Sequence, residues 1–452
     1  MAKLKEDFTV GSIRAALIRF CIPFLISNLL QALYGVADMW FVSRFNDAAS
    51  MSGVNIGSQI THILTMAVSG LTVGGTILVA QFFGARKEKD VSETIGTMYT
   101  LLFGCAVVLS VLTITFSETI LGWLQTPKEA MEEATRYLNI CMAGIVFVFG
   151  YNAVSAVQRG MGDSKRPLLF VAIACAINIF VDWLFVGIFG MGASGAAWAT
   201  VLSQGASFLF SAIYLSRSGS VFDFKLRSFA VKKDKVVLLM KLGIPSSVQG
   251  IVVNISFLLM TMLVNGFGVD ASAAVGVAGK FNSFAILPAV AMSSSISAIA
   301  AQNIVAGYHD RAKKSMTDGM VIAFIFGALV FAVSQLFPAG ILKIFTDEPA
   351  VIDYGKQYLP AFAFDYLLVP FQFCLSGLIN AAGHTSYSFF VSLVSSVAVR
   401  IPLAWFLSKT ALGLTGVGLA APGASFVGII IAFVFVATGK WKQNRTGIRR
   451  EG

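Results

Sequence analysis

Charge is scarce in this 452-residue sequence: Asp, Glu, Lys and Arg make up 12% of it, against about 25% in an average soluble protein. Histidine is rarer still, with three copies, and cysteine has five. The cysteines (Cys21, Cys105, Cys141, Cys175, Cys374) are scattered through apolar stretches without CxxC spacing, which argues against a disulfide framework or a zinc site. His62, His309 and His384 are far apart, and neither HExxH nor GxSxG occurs. A membrane-embedded enzyme would need clustered ligands or a nucleophile with its base, so no enzymatic activity and no cofactor are expected. Residues 1–19 are basic and mixed and run straight into a long apolar span, so no cleavable signal peptide is expected.

What fills the chain instead is hydrocarbon: 56% of residues are hydrophobic and the mean hydropathy is +0.79. A buried core cannot absorb that many apolar side chains, and the lipid bilayer can. Apolar stretches lie at 20–43, 52–83, 95–117, 133–157, 167–190, 193–214, 242–267, 272–304, 318–342, 357–381, 387–408 and 412–438. They are long and continuously apolar, as helical spans are and barrel strands are not. The sequence therefore predicts an all-α, polytopic membrane protein with twelve transmembrane helices. A net charge of +10 need not mean a nucleic-acid partner, because basic residues collect in cytoplasmic loops. The N-terminus and connectors 84–92, 159–166, 215–241, 309–317 and 439–452 carry 25 Lys and Arg, and the alternate set carries six. That bias places both termini in the cytoplasm of a multi-pass cell-membrane protein.

The two halves of the chain resemble each other. Cys21-Ile22-Pro23 matches Gly243-Ile244-Pro245 at an offset of 222, and Phe45, Ala49, Ser50 and Gly57 match Phe267, Ala271, Ser272 and Gly279 at the same offset. Gly162, Gly192 and Gly195 match Gly383, Gly413 and Gly416 at an offset of 221. Six spans per half return the chain to its starting side, so the repeats are parallel and form two pseudo-symmetric six-helix bundles. The expected organisation is a first bundle over 1–218, a cytoplasmic connector over 219–237, and a second bundle with a basic tail over 238–452. Transporters use this design around a central substrate path.

A charge at bilayer depth costs about 2.5–3.5 kcal/mol on the insertion scale, so the few intramembrane ionisable residues are informative. They are Asp38, His62, Asp182, Lys280, Asp365 and Arg400. At about 1.5 Å per residue, Asp38, Asp182, Lys280, Asp365 and Arg400 lie about 9–14 Å in from the outer ends of their spans. The first-half group is acidic. Asn178 precedes Asp182 by four residues and Tyr34 precedes Asp38 by four, each on the same helical face as its acid, and Thr200 lies at similar depth. Carboxylates, an amide and hydroxyls without a fixed cation suit a mobile one. For Na⁺, the ligands would be Asp38, Asp182, Asn178 and Thr200, since hard cations take oxygen. For H⁺, burial and a neighbouring like charge disfavour double ionisation and favour a bound proton. The second-half group, Asp365 with Lys280 and Arg400, is either a buried ion pair holding spans 8, 10 and 11 together or a substrate or gating site. His62 reads as a packing residue or a proton relay. Pro23 breaks a hydrogen bond on the span that carries Asp38, and is the expected hinge.

At these residues the chain resembles the multidrug and toxic compound extrusion (MATE) family, closest to its DinF-like branch. The resemblance covers about 14–438. It is carried by Pro23, QALYGVAD (31–38), AQFFGA (80–85), QRGMGDSKRP (158–167), NIFVD (178–182) and GASGAAWAT (192–200). In the second half it is carried by GKFNSFAILP (279–288), AQNIVAG (301–307), INAAGHTS (379–386) and RIPLAW (400–405). It implies alternating access and export of small amphipathic, often cationic compounds in exchange for Na⁺ or H⁺, by a chain acting as a monomer. It also implies a first-half cation site at Asp38, Asn178, Asp182 and Thr200, with Tyr34 nearby and Pro23 as the family's proline. The NorM-like branch has a glutamate in its seventh helix, but residues 242–269 here hold no Asp or Glu. Asp365 stands one turn before that branch's tenth-helix acid. Both departures favour first-half coupling.

The alternatives are a lipid-linked saccharide flippase and a dedicated metabolite or peptide exporter of the same superfamily. The acidic first-half group speaks against a pyrophosphate ligand. If bending at Pro23 relays events at Asp38, Pro23→Ala should lower coupled transport in proteoliposomes; intact transport would remove the hinge role.

Overall fold

A computed structural model of the protein describes residues 6–46, 48–217 and 222–450. Ten of its helices are each long and apolar enough to cross a bilayer, and two bent helix pairs complete the twelve spans. They are α1 (Ile13–Phe45), α2 (Ala49–Gly84), α3 (Glu88–Thr115), α4 (Lys128–Ala143 with Ile145–Gly160), α5 (Lys165–Ile188) and α6 (Gly192–Arg217). The second set is α7 (Lys233–Asn265), α8 (Val269–Val305), α9 (His309–Leu336), α10 (Pro349–Ala363 with Asp365–Ala381), α11 (Thr385–Ser408) and α12 (Gly413–Ala437). No strand occurs among the described residues.

In hydrocarbon a backbone donor finds no water, so each span must satisfy its own peptide groups as a helix. With apolar residues on every face, side-chain size rather than polarity separates inside from outside. On α9, Val321, Ile325, Leu329 and Val333 face outward at four-residue spacing. On α12, Gly416, Ala420, Ala424, Gly428 and Ala432 are buried at the same spacing, the small-residue stripe that lets helix backbones approach.

The repeat is visible in the irregularities as well as in the spans. α4 bends by 46° and α10 by 41° at one-residue breaks. A π-helical stretch, Trp183–Ile188, lies in α5, and another, Val394–Arg400, lies in α11. The turns that end α4 and α10 use Gly162 at φ 89° and Gly383 at φ 79°, left-handed values that a residue with a Cβ adopts only at a cost. These glycines are one of the matched pairs in the sequence.

The chain forms two compact units, one built on Pro23–Gly243 and the other on Ile244–Gly452 together with Asp7–Ile22. The division does not fall inside the connector expected at 219–237, of which residues 219–221, like the expected boundary at 218, lie outside the described residues. It cuts α1 between Ile22 and Pro23, and α7 between Gly243 and Ile244, at the two matched Ile-Pro pairs.

The segments ahead of those prolines are fastened by hydrogen bonds within their units. In the second unit, Phe8 N–H donates to Gln302 Oε1 (3.0 Å) and Asn303 Nδ2 donates to the Phe8 carbonyl (3.1 Å). Arg311 donates to the carbonyls of Phe8 and Gly11, and Arg14 pairs with Asp318 at 3.2 Å. In the first unit, Lys232 N–H donates to Thr97 Oγ1 (3.1 Å) and Thr100 Oγ1 donates to the Phe229 carbonyl (2.7 Å). Lys235 is buried, pairs with Asp90 and Asp234, and lies over the Phe82 ring. Tyr99 packs against Phe222, Phe224 and Phe229.

Gly96 makes this docking possible, since a Cβ there would lie 1.9 Å from the Ser228 carbonyl oxygen. Gly96→Ala should displace the strap at a cost of about 1–3 kcal/mol, the usual range for overpacking. Trypsin should then cut at Lys225 and Arg227 several-fold faster. Gly104→Ala, where a Cβ would meet nothing within 4 Å, should leave the rate unchanged.

Candidate functional site

The first unit brings α1, α5 and α6 together around Asp38. Asn178 Nδ2 donates to Asp38 Oδ1 (2.9 Å) and Thr200 Oγ1 donates to Asp38 Oδ2 (2.9 Å). Both oxygens of this carboxylate therefore have a donor, each from a different helix. Asp182 is four residues beyond Asn178 on α5, one turn along the same face, and it immediately precedes the π-helical stretch. Such stretches recur at functional positions because they re-aim the neighbouring side chains. Its carboxyl stands beside that of Asp38, near enough for one protonated group to hydrogen-bond the other. Asp38 is 6% exposed, and Asn178 and Asp182 are 0% exposed.

The donors run out at Asp182. Both of its carboxyl oxygens and Asn178 Oδ1 are buried without a hydrogen-bond partner. Neither Asp38 nor Asp182 forms a salt bridge with a Lys, Arg or His among the described residues. No group of three or more His, Cys, Asp or Glu among the described residues is placed to hold a metal ion. An Na⁺ here would have to complete its shell with the amide and hydroxyl oxygens, as the donor set Asp38, Asp182, Asn178 and Thr200 permits.

Tyr34 is buried nearby, but its hydroxyl bonds Ser203 rather than Asp38, and Ser203 Oγ donates to the Thr200 carbonyl (2.9 Å). Tyr34 thus ties α1 to the turn of α6 that presents Thr200. Ser203 escaped the sequence reading because a serine in an apolar span carries no signal until its partner is known. Tyr137 of α4 is also buried in this unit. Room for its ring comes from Gly57 of α2, where a Cβ would lie 2.5 Å from the Tyr137 ring.

The other residues singled out in the sequence are placed differently. Asp365 and Arg400 are both buried in the second unit, but they form no ion pair among the described residues, so of the two alternatives the salt bridge across spans 8, 10 and 11 is not made. Asp365 opens the second segment of α10 directly after its bend and Arg400 closes the π-helical stretch of α11. Lys280 is exposed on α8 and pairs with neither. His62 is exposed on α2 beside exposed Ile63, with no hydrogen bond among the described residues. That side of α2 faces outward, so His62 is not packed in a core. Pro23 is buried in α1 at the boundary of the two units.

Comparison with known proteins agrees with this architecture. The MatE family profile matches the chain twice, over residues 23–184 and 245–406, so each copy begins at one of the paired prolines. The "Probable multidrug resistance protein YpnP" of Bacillus subtilis is 31% identical over 440 residues, covering 96% of this chain and 97% of that protein. The "Probable multidrug resistance protein NorM" of Thermotoga maritima is 25% identical, covering 99% of this chain and 96% of that one. A solved MOP superfamily transporter from Pyrococcus furiosus superposes with a TM-score of 0.90 over 98% of this chain and 99% of its own, at 22% identity. That last likeness is one of fold. With two copies of the family profile, twelve spans and relatives matched along nearly their whole length, this chain belongs to the MatE family, the multidrug and toxic compound extrusion transporters.

Proposed function

We propose that the protein is a secondary active antiporter of the cell membrane, both termini cytoplasmic, working as a monomer. It exports small amphipathic, often cationic compounds in exchange for Na⁺ or H⁺ by alternating access. One observation carries the reading: Asp182 and Asn178 present three buried oxygens without donors beside an Asp38 whose own donors are already in place. A buried carboxylate without a partner is costly, and no fixed cation offsets it. A proton shared between the acids, or an Na⁺ held by the four oxygen ligands, does.

Coupling then follows from linkage. If the cation stabilises one arrangement of the unit and the exported compound another, each lowers the other's affinity by the same factor. The driving force is limited but sufficient. A tenfold cation gradient is worth about 1.4 kcal/mol, and one charge moving through 100 mV adds about 2.3 kcal/mol. Together these would concentrate a neutral compound by a few hundred-fold outside. Exchange of one cation for a singly charged substrate would draw on the chemical gradient alone.

The test is efflux from proteoliposomes with Na⁺ and pH gradients imposed separately. Asp38→Asn and Asp182→Asn should each reduce gradient-driven efflux at least tenfold, and full efflux in both would remove the coupling role. The effective gradient names the cation.

Thr200→Val adds a second measure. A single side-chain hydrogen bond between spans is worth about 0.6–2 kcal/mol, so the variant should unfold only slightly earlier in a thermal melt. Its gradient-driven efflux should still fall severalfold, and Thr200→Ser should restore it. Equal, proportionate losses of stability and efflux would make Thr200 a packing residue only.

A further inference from the structure

The second unit holds a buried acid and a buried base that do not meet. Asp365 is 6% exposed and Arg400 is 8% exposed, yet no ion pair within 4.0 Å joins them. Asp365 Oδ1 and Arg400 Nε and Nη1 are all buried without a hydrogen-bond partner, and so is the hydroxyl of Tyr366. Arg400 lays its guanidinium over the Phe257 ring, 4.7 Å from the centroid. That contact shields one face of the cation and leaves its N–H donors unused.

The stretch that carries Arg400 is held from a neighbouring helix. Arg400 ends a π-helical stretch that is braced from α7, where Ser256 Oγ donates to the Ser396 carbonyl (2.7 Å) and Gln249 Nε2 donates to Ser392 Oγ (2.8 Å). Nor is the charge pair needed for the shape of the bundle. The first unit bends α4 by a similar angle at Ala143-Gly144-Ile145, and its own π-helical stretch, Trp183–Ile188, holds no basic residue. The second unit has therefore placed two charges at positions where the same backbone features form without them.

An occupant must answer both charges. A lone cation would be repelled by Arg400 and a lone anion by Asp365, whereas a group with an acceptor at one end and a donor at the other meets both and brings no net charge to bilayer depth. Rings close to Asp365 in sequence, Tyr358, Phe362 and Tyr366, belong to the packed core of the unit. Tyr358 stacks on Phe362 at 5.6 Å between centroids, and Phe362 meets Tyr366 edge-on at 5.8 Å. We propose that Asp365 and Arg400 form a second, dipolar site within the second unit, which takes the zwitterionic headgroup of an exported amphiphile. This deepens the reading of the chain as an exporter and rests on it, but it does not depend on which cation drives export.

The probe is a matched pair of dyes: rhodamine B, which carries a carboxylate and a delocalised cation, and its ethyl ester, which carries the cation only. Binding to the purified full-length protein is measured by fluorescence polarisation without any gradient. The wild type should bind rhodamine B at least tenfold tighter than the ester. Arg400→Gln should abolish that preference by weakening rhodamine B, and Gly104→Ala, where a Cβ would meet nothing within 4 Å, should leave it unchanged. Should Arg400→Gln not fold, the neutral double variant Asp365→Asn/Arg400→Gln reads the same preference. Equal binding of the two dyes by the wild type, or a preference that survives in Arg400→Gln or in the double variant, overturns the site. Efflux insensitive to every gradient, with the dye preference intact, would instead sink the antiport and leave this site standing.

Discussion

Asp38 is held from two sides, by an amide on α5 and a hydroxyl on α6, while its own backbone belongs to α1. In a medium that solvates no charge, this clamp is what allows a carboxylate to sit at that depth. It also consumes the donors at hand, so the neighbouring Asp182 has none. The asymmetry between two acids in one pocket of the fold is the physical basis of the proposed chemistry. One carboxylate has a donor on each oxygen; the other has none, and the proposed cation would satisfy it. The glycine at 57, the tyrosine at 137 and the Tyr34–Ser203 contact all support that arrangement by fixing where α1, α2, α4 and α6 run.

Much of the architecture was legible from residues alone. Hydropathy located all twelve spans, because a helix in lipid advertises itself by length and apolarity. The matched Ile-Pro and glycine positions revealed the repeat, because a left-handed turn or a missing N–H constrains residue type. The depth arithmetic grouped Asp38, Asn178, Asp182 and Thr200, and the fold brings those four side chains together. Depth cannot give azimuth, however. Lys280 shares a level with Asp365 and Arg400 but is exposed, and so is His62, for which the sequence leaves both a packed ring and a proton relay open. The spans are apolar all round, so no amphipathic pattern says which face turns inward. The bends in α4 and α10 and the π-helical stretches were hidden for a related reason. The stretch in α11 receives a hydrogen bond from Ser256, which is distant in sequence, and nothing local in Val394–Arg400 announces it.

The two units apply one scaffold to two chemistries. Both contain a bent fourth helix and a π-helical stretch in the fifth, yet one collects acids and amides and the other separates an acid from a base. Duplication supplies the backbone, and divergence at a few positions beside the irregularities supplies the difference. Asp182, Asp365 and Arg400 stand at or beside those irregularities, whereas Asp38 and Thr200 lie in regular helix.

The fastening of residues 7–14 has a consequence for biogenesis. Phe8 finds its partner Gln302 across 294 positions, so the opening segment leaves the ribosome long before its dock has been made. At roughly 5–20 residues per second that wait is about 15–60 s, during which the start of the first helix has no completed surface to lie on. The second unit must thus retrieve a segment encoded ahead of the first, and that segment waits until Gln302 to Asp318 have been made.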